Sequence, residues 1–214
     1  MSSGLVTFAT AIGGALYGSP GSRFASFLGG RNENPADNIR MNVSLDEDDL
    51  RRLLGKIRIL SYPSLARFKH IEEALDASGR LMLLFLTSSP TDGHWVTLFK
   101  SETQPHTLEW YDSYGLQPDA EKKWLSHSKL MQLHESKPLL TNLLKDAEQR
   151  GWRITYNHHH LQGSGHTINT CGRHCVVRLQ HKDLSLPQYL SLIASSGLTP
   201  DQFVLRETQT QLHK

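Results

Sequence analysis

An α+β fold with a central antiparallel sheet packed on helices is predicted for this 214-residue chain by three features. Its middle, residues 81–112, holds runs of strand-forming residues separated by turn signals. Segments of helical periodicity, several with caps, lie on both sides of that stretch. With 38% hydrophobic and 21% charged residues the chain can bury a sizeable core, which excludes collagen-like, coiled-coil and fully disordered classes.

Charge and cysteine usage narrow the partners and compartment. The net charge of +2 is too small to demand a nucleic acid or a membrane surface. The apolar run at 81–86 is far shorter than the ~20 residues of a membrane span, and the first basic residue is Arg23, so the charged start of a secretory signal is missing. No membrane partner is expected. The 2 cysteines, Cys171 and Cys175, do not make a disulfide scaffold and point to an intracellular, reducing compartment.

The elements follow in order. Residues 1–40 are rich in Gly, Ser, Ala and Asn, with breakers such as Gly29-Gly30 and Asn34-Pro35, and predict a flexible N-terminal arm ahead of a single domain at 41–214. Ser44 and Glu47 form a capping box that opens a helix to about Leu54, and 57–60 is a short strand. Ser64 caps a second helix to Asp76, with Leu65, Phe68, Ile71 and Leu75 on one face, and Gly79 ends it. Strands at 81–87, 94–99 and 107–112 look like antiparallel neighbours, with a turn over 88–93. Helical content returns at 119–133 and 139–150, followed by a strand at 152–156 and a polar loop at 157–170. Helices over 171–179, 186–195 and 200–212 close the chain, the last capped by Thr199.

Pairing 94–99 with 107–112 sets His94 opposite Asp112, Val96 opposite Trp110 and Leu98 opposite Leu108, an alignment that the apolar pattern supports. A carboxylate so placed can hold an imidazole in one tautomer. The polar loop ends at Asn169-Thr170 and delivers Cys171 to the start of an apolar helix. There the helix N-terminus and a nearby imidazolium can pull a thiol below its free pKa of ~8.5. Gly172 leaves space beside the sulfur for a substrate backbone, whereas Cys175, one turn further in, suits a small core residue. A rival class also exists. Cys171, Cys175 and two of His158, His159, His160, His166 or His174 would make a zinc-stabilised, non-catalytic binding module, which leaves the His94–Asp112 alignment and Gly172 unexplained.

His94-Trp95, Tyr111-Asp112-Ser113-Tyr114-Gly115, Gln162 and Cys171-Gly172 together resemble the His, Asp, Gln, Cys order of the cysteine proteases that process ubiquitin-like proteins and of the adenovirus maturation protease, adenain. The resemblance spans about 80–182, and the Cys-Gly-x-x-Cys run is closer to the adenain branch, which includes maturation proteases of large DNA viruses, virophages and related elements. It implies a papain-like core in permuted order and four catalytic residues. Cys171 is the nucleophile, His94 the general base and later acid, Asp112 its orienter, and Gln162, or alternatively Asn169, the oxyanion amide. Trp95 is expected beside the imidazole and, with Gly172, at the substrate.

The implied function is cleavage of viral precursor proteins at small-residue, Gly-Gly-like sites during virion maturation, in the host cytoplasm or nucleus and in the virion. The alternative is removal of ubiquitin-like proteins. The implied partners are therefore protein substrates, and the implied chemistry needs no cofactor. Adenain uses a peptide activator tethered by a disulfide and also DNA; with both cysteines on one helix there is no spare thiol for a tether, and dependence on an activator stays open.

Overall fold

The computed structural model of the chain describes residues 37, 40–89, 92–164 and 168–212. Nearly all of the expected arm at 1–40, together with Gly165 and His166, lies outside the described residues. In order, the elements are α1 (Glu47–Leu54), β1 (Arg58–Ser61), 3-10 turns Tyr62–Arg67 and Ile71–Ala74, β2 (Arg80–Ser89), β3 (Asp92–Lys100) and β4 (Thr107–Tyr111). A third 3-10 turn, Ala120–Trp124, precedes α2 (His127–Gln132), α3 (Leu139–Gln149), β5 (Arg153–Tyr156), α4 (Cys171–Gln180), α5 (Leu186–Ser195) and α6 (Pro200–Leu212).

The architecture is α+β, and its sheet runs β1-β2-β3-β4-β5. The inner pairs are antiparallel as expected, but β1 is parallel to β2 and β5 is parallel to β4, so the sheet is mixed. The reason is connectivity. Each edge strand is joined to its neighbour by a crossover of turns or helices rather than by a hairpin, and a crossover returns the chain in the same direction.

β2 shows how an unbroken apolar run serves two layers. Leu81, Leu83 and Phe85 enter a core with Val96, Leu98, Trp110 and the α3 residues Leu140 and Leu144. Met82, Leu84 and Leu86 enter the opposite core with Trp95, Phe99 and Tyr111 and with Cys175 and Val176 of α4. A strand buried on both faces has no polar alternation to display.

Four expectations about local structure are corrected. The cap of α1 is Asp46, which accepts from the Asp49 backbone N–H at 2.9 Å, and not the Ser44 box. Three further acids, Glu47, Asp48 and Asp49, suit that N-terminal turn. The helix expected over 64–76 is two 3-10 turns. Pro63 starts the first, and the Tyr62 hydroxyl, which donates to Asp119 Oδ1 and accepts from Leu139 N at 2.7 Å, ties that turn to the start of α3. The helical stretch at 119–133 is likewise split, with Ser126 capping α2 by accepting from Lys129 N at 3.2 Å.

The fourth correction concerns register. β3 pairs β4 through Thr97–Tyr111, Leu98–Trp110 and Lys100–Leu108, so His94 is not directly opposite Asp112. The slip is two residues, which leaves every side chain on its expected face; an apolar pattern of period two cannot detect it.

A buried ion pair joins the sheet to α4. Arg178 donates from Nε to Glu109 Oε1 at 2.7 Å and from Nη2 to Oε2 at 2.8 Å, and it also reaches the His181 carbonyl at 2.6 Å and the Leu184 carbonyl at 2.9 Å. Its guanidinium lies 5.0 Å from the Phe99 ring centroid and 5.1 Å from that of Tyr189. Removing one partner of such a pair strands a buried charge. Glu109→Ala is therefore expected to lower the unfolding free energy by about 3–5 kcal/mol, read as a lower urea midpoint; an unchanged midpoint would show that the pair is dispensable.

Candidate active site

Three elements deliver three side chains to one place. Cys171 is the first residue of α4, His94 lies near the start of β3, and Asp112 follows the last residue of β4. His94 Nε2 is 3.3 Å from Asp112 Oδ1, an ion-pair contact whose alignment falls short of a full hydrogen bond, and both side chains are buried. Asp112 reaches His94 despite the register because it stands beyond the ladder, where the chain turns. The Tyr114 N–H reaches Asp112 Oδ1 at 2.6 Å and the Gly115 N–H reaches its carbonyl at 3.0 Å.

The charges organise the cluster. Burial alone would drive the His94 proton off, but the Asp112 carboxylate and the Cys171 sulfur beside the ring outweigh burial and raise the imidazolium pKa to about 10. Burial would likewise keep Cys171 as a thiol. His94 beside it, with its imidazolium charge, and the backbone N–H groups of Trp95 and Gly172 instead lower its pKa. Asp112 is also lowered, burial being overcome by His94. The cluster thus favours the charged form of all three groups, thiolate, imidazolium and carboxylate. Cys175 is the opposite case: burial pushes its thiol up, and its sulfur donates to the Trp95 carbonyl at 3.4 Å.

The space expected beside Gly172 is occupied by protein. A Cβ on Gly172 would lie 3.2 Å from Trp95 Cδ1 and 3.4 Å from Leu45 Cβ, so the glycine lets α4 approach β3 and its free space is filled by protein rather than left for substrate. The Trp95 indole donates to the Leu45 carbonyl at 3.2 Å. The imidazole is flanked by other rings: Tyr114 stacks on it at a centroid distance of 5.0 Å and Trp124 meets it edge-on at 5.5 Å. Just before His94, a Cβ on Gly93 would fall 1.8 Å from the Phe85 carbonyl oxygen, so only glycine allows β2 this close.

Gln162 is buried in the loop before α4. Its Oε1 accepts from Ser113 Oγ at 2.8 Å and its Nε2 donates to the Ile168 carbonyl at 3.1 Å, which leaves one amide hydrogen uncommitted among these contacts. Asn169, the alternative, donates from Nδ2 to the Asn42 carbonyl at 2.9 Å and to Asn42 Oδ1 at 3.0 Å, so both of its amide hydrogens are engaged. Asp201, at the start of α6, holds this loop against α4. One oxygen accepts from the Thr170 hydroxyl and lies 3.0 Å from His174 Nε2; the other accepts from Gly163 N at 2.8 Å. Burial would raise the Asp201 pKa, but these donors, His174 foremost, lower it.

Asp201, Glu121, Tyr114 and Trp124 are the site-shaping residues that sequence reasoning missed. Tyr114 stood inside a quoted motif, but nothing local marked the other three. Glu121 is 3% exposed, and burial with Asp112 alongside pushes its carboxyl up to about 9.

The zinc alternative is not supported by the placement of its ligands. Among the described residues, the group able to surround a cation is His94, Asp112 and Glu121, whose ligand-type atoms lie within 4.8 Å of one another. Cys171 and Cys175 form no such group with His158, His159, His160 or His174, and His166 lies outside the described residues. His174 is instead paired with Asp201.

A groove of about 680 Å³ opens onto Cys171, lined by Leu45 and Asp46 ahead of and at the cap of α1, by Ile59 of β1, and by Leu84 and Trp95. Among the described residues no helix is long and apolar enough to cross a membrane.

Comparison with known proteins gives one informative similarity. The chain is 30% identical over 167 residues to the uncharacterized protein V9 of Sputnik virophage, an alignment that covers 76% of this chain and 92% of V9. No family model matches the chain, and no solved structure does.

Proposed function

The chain belongs to the same protein family as V9 of Sputnik virophage, and from that premise we propose that it is a viral cysteine endopeptidase that cuts precursor proteins at small-residue, Gly-Gly-like sites during virion maturation. The observation that carries the reading is the buried Cys171–His94–Asp112 cluster, with the thiol lowered and the imidazole raised, and with Cys171 lining a groove. A helix-start thiolate paired with an imidazolium is an activated nucleophile at neutral pH.

In the proposed reaction Cys171 attacks the scissile carbonyl, and the developing oxyanion takes hydrogen bonds from the Cys171 backbone N–H and the free amide hydrogen of Gln162. The His94 imidazolium protonates the leaving amine, releasing the first product. Neutral His94 then takes a proton from water, which attacks the thioester and frees the second product. Asp112 keeps the ring oriented and stabilises its charged form throughout. Glycine near the cut suits a closed site, since a chain without Cβ atoms can come closest to the sulfur. The virophage relative supports a viral setting, and the proposed places of action are the infected cell and the virion.

The test is incubation of the purified protein, with and without DNA, with Gly-Gly-containing viral precursors and with ubiquitin-like fusions, reading cleavage sites by mass spectrometry. The precursors are expected to be cut after small residues and the fusions to survive. Cleavage confined to the fusions would transfer the chain to the ubiquitin-like-protein proteases, and no cleavage of either set would overturn the peptidase reading.

A further inference from the structure

Glu121 sits in the 3-10 turn Ala120–Trp124, and both of its carboxyl oxygens are buried without a hydrogen-bond partner. Asp112 is fully buried, and its Oδ2 lacks a partner too. One atom from each of Glu121, Asp112 and His94 lies within 4.8 Å of the other two. Two ionised carboxylates so close, and shielded from water, would set two negative charges against the single positive charge that His94 carries; one proton between them removes the excess and gives both orphaned groups a partner.

The surroundings decide which residue carries it. Asp112 has the His94 ring and the Tyr114 N–H on Oδ1, both of which favour its ionised form. Glu121 has no comparable donor. The other nearby charge, Lys122 on the same turn, is turned to Asp119 at 3.6 Å and to the Lys137 carbonyl.

We propose that Glu121 is a positioning residue, a neutral carboxylic acid that donates its proton to Asp112 Oδ2 and so clamps the carboxylate with Oδ1 on His94. The push on the Glu121 carboxyl up to about 9 agrees with this geometry. The same turn carries Trp124, edge-on to the imidazole at 5.5 Å, so one short element both walls the ring and holds its carboxylate.

The inference rests on the peptidase reading only in giving the cluster a purpose, and its test needs no substrate. Infrared difference spectra at neutral pH should show the carbonyl band of a protonated carboxylic acid in the wild type, and Glu121→Gln should lose it. The pH dependence of Cys171 alkylation by iodoacetamide then reads the consequence. Glu121→Leu strands Asp112 Oδ2 as a buried, unpaired charge; Asp112 escapes by binding a proton itself or by turning away, and either response weakens the imidazolium. The thiolate midpoint is expected to rise by about one pH unit. Glu121→Gln should rescue it, because its amide N–H can still donate to Asp112.

Absence of the acid band in the wild type, a Glu121→Leu midpoint equal to wild type, or a stoichiometric divalent cation released by Glu121→Gln would each overturn the proposal. If Glu121→Leu does not fold, the infrared comparison of wild type and Glu121→Gln decides alone. A wild-type Cys171 that titrates like a free thiol would count against the peptidase reading, while the infrared band would still report on Glu121.

Discussion

Cys171→Ala is expected to abolish peptide cleavage, a loss on the order of 10⁴- to 10⁶-fold in turnover, while Cys175→Ala keeps activity within a few-fold of wild type. The two sulfurs are one helical turn apart on α4 but sit in opposite environments. Cys171 meets His94, the Gly172 N–H of the helix start and the Trp95 N–H of β3, whereas Cys175 is enclosed in the core with its thiol pushed up. Thiolate rather than thiol is the nucleophile, so iodoacetamide at neutral pH should label Cys171 first. The pH dependence follows from the same pair. Reactivity should appear below the ordinary thiol range, because the Cys171 pKa is lowered, and cleavage should fall again near pH 10, where His94 loses the proton that the leaving amine requires. Preferential labelling of Cys175, or full activity in Cys171→Ala, would remove Cys171 from the mechanism.

The second large effect belongs to Asp112→Asn. The carboxylate faces an imidazolium that must persist through the chemistry, so the neutral amide should lower kcat on the order of 10⁴-fold while leaving KM within a few-fold. Steady-state kinetics separate this from a binding role, in which KM alone would move. The same substitution carries a stability signature. Because the Asp112 pKa is lowered in the folded chain, its contribution is present above the ordinary carboxylate range and is lost as pH falls through the lowered value. Asp112→Asn should therefore lose less stability than wild type as pH falls through and below the ordinary carboxylate range. His94 acts at the other end: its pKa is raised, so its contribution is present below the ordinary imidazole range and fades as pH rises towards about 10.

Leu186–Ser195 and Pro200–Leu212 are helices with the expected bounds, because Ser185 and Thr199 supply local caps to apolar-periodic segments. Cys171 opens its helix for an equally local reason, a polar loop meeting an apolar run. The two 3-10 turns within 64–76 look like one helix in sequence, and the helical content at 119–133 divides into a 3-10 turn and α2, since a short stretch of apolar spacing has the same appearance in either geometry. The two-residue register slip between β3 and β4 preserved face parity and so left no trace in the pattern.

The sequence by itself determined the α+β class, the order of strands and helices, and the residue types able to act as nucleophile, base and orienter, all properties carried by neighbours along the chain. Only the tertiary structure decided how those residues are held. It brings Asp112 to His94 past the end of the ladder and reverses the role of Gly172 by filling its space with Trp95. It also pairs His174 with Asp201 and Arg178 with Glu109 across long stretches of chain. Glu121 is the sharpest instance: a lone acid in a polar, lysine-flanked turn is ordinary in sequence. Burial against a second carboxylate changes its chemistry, because desolvation and charge repulsion depend on distances that the folded chain alone sets.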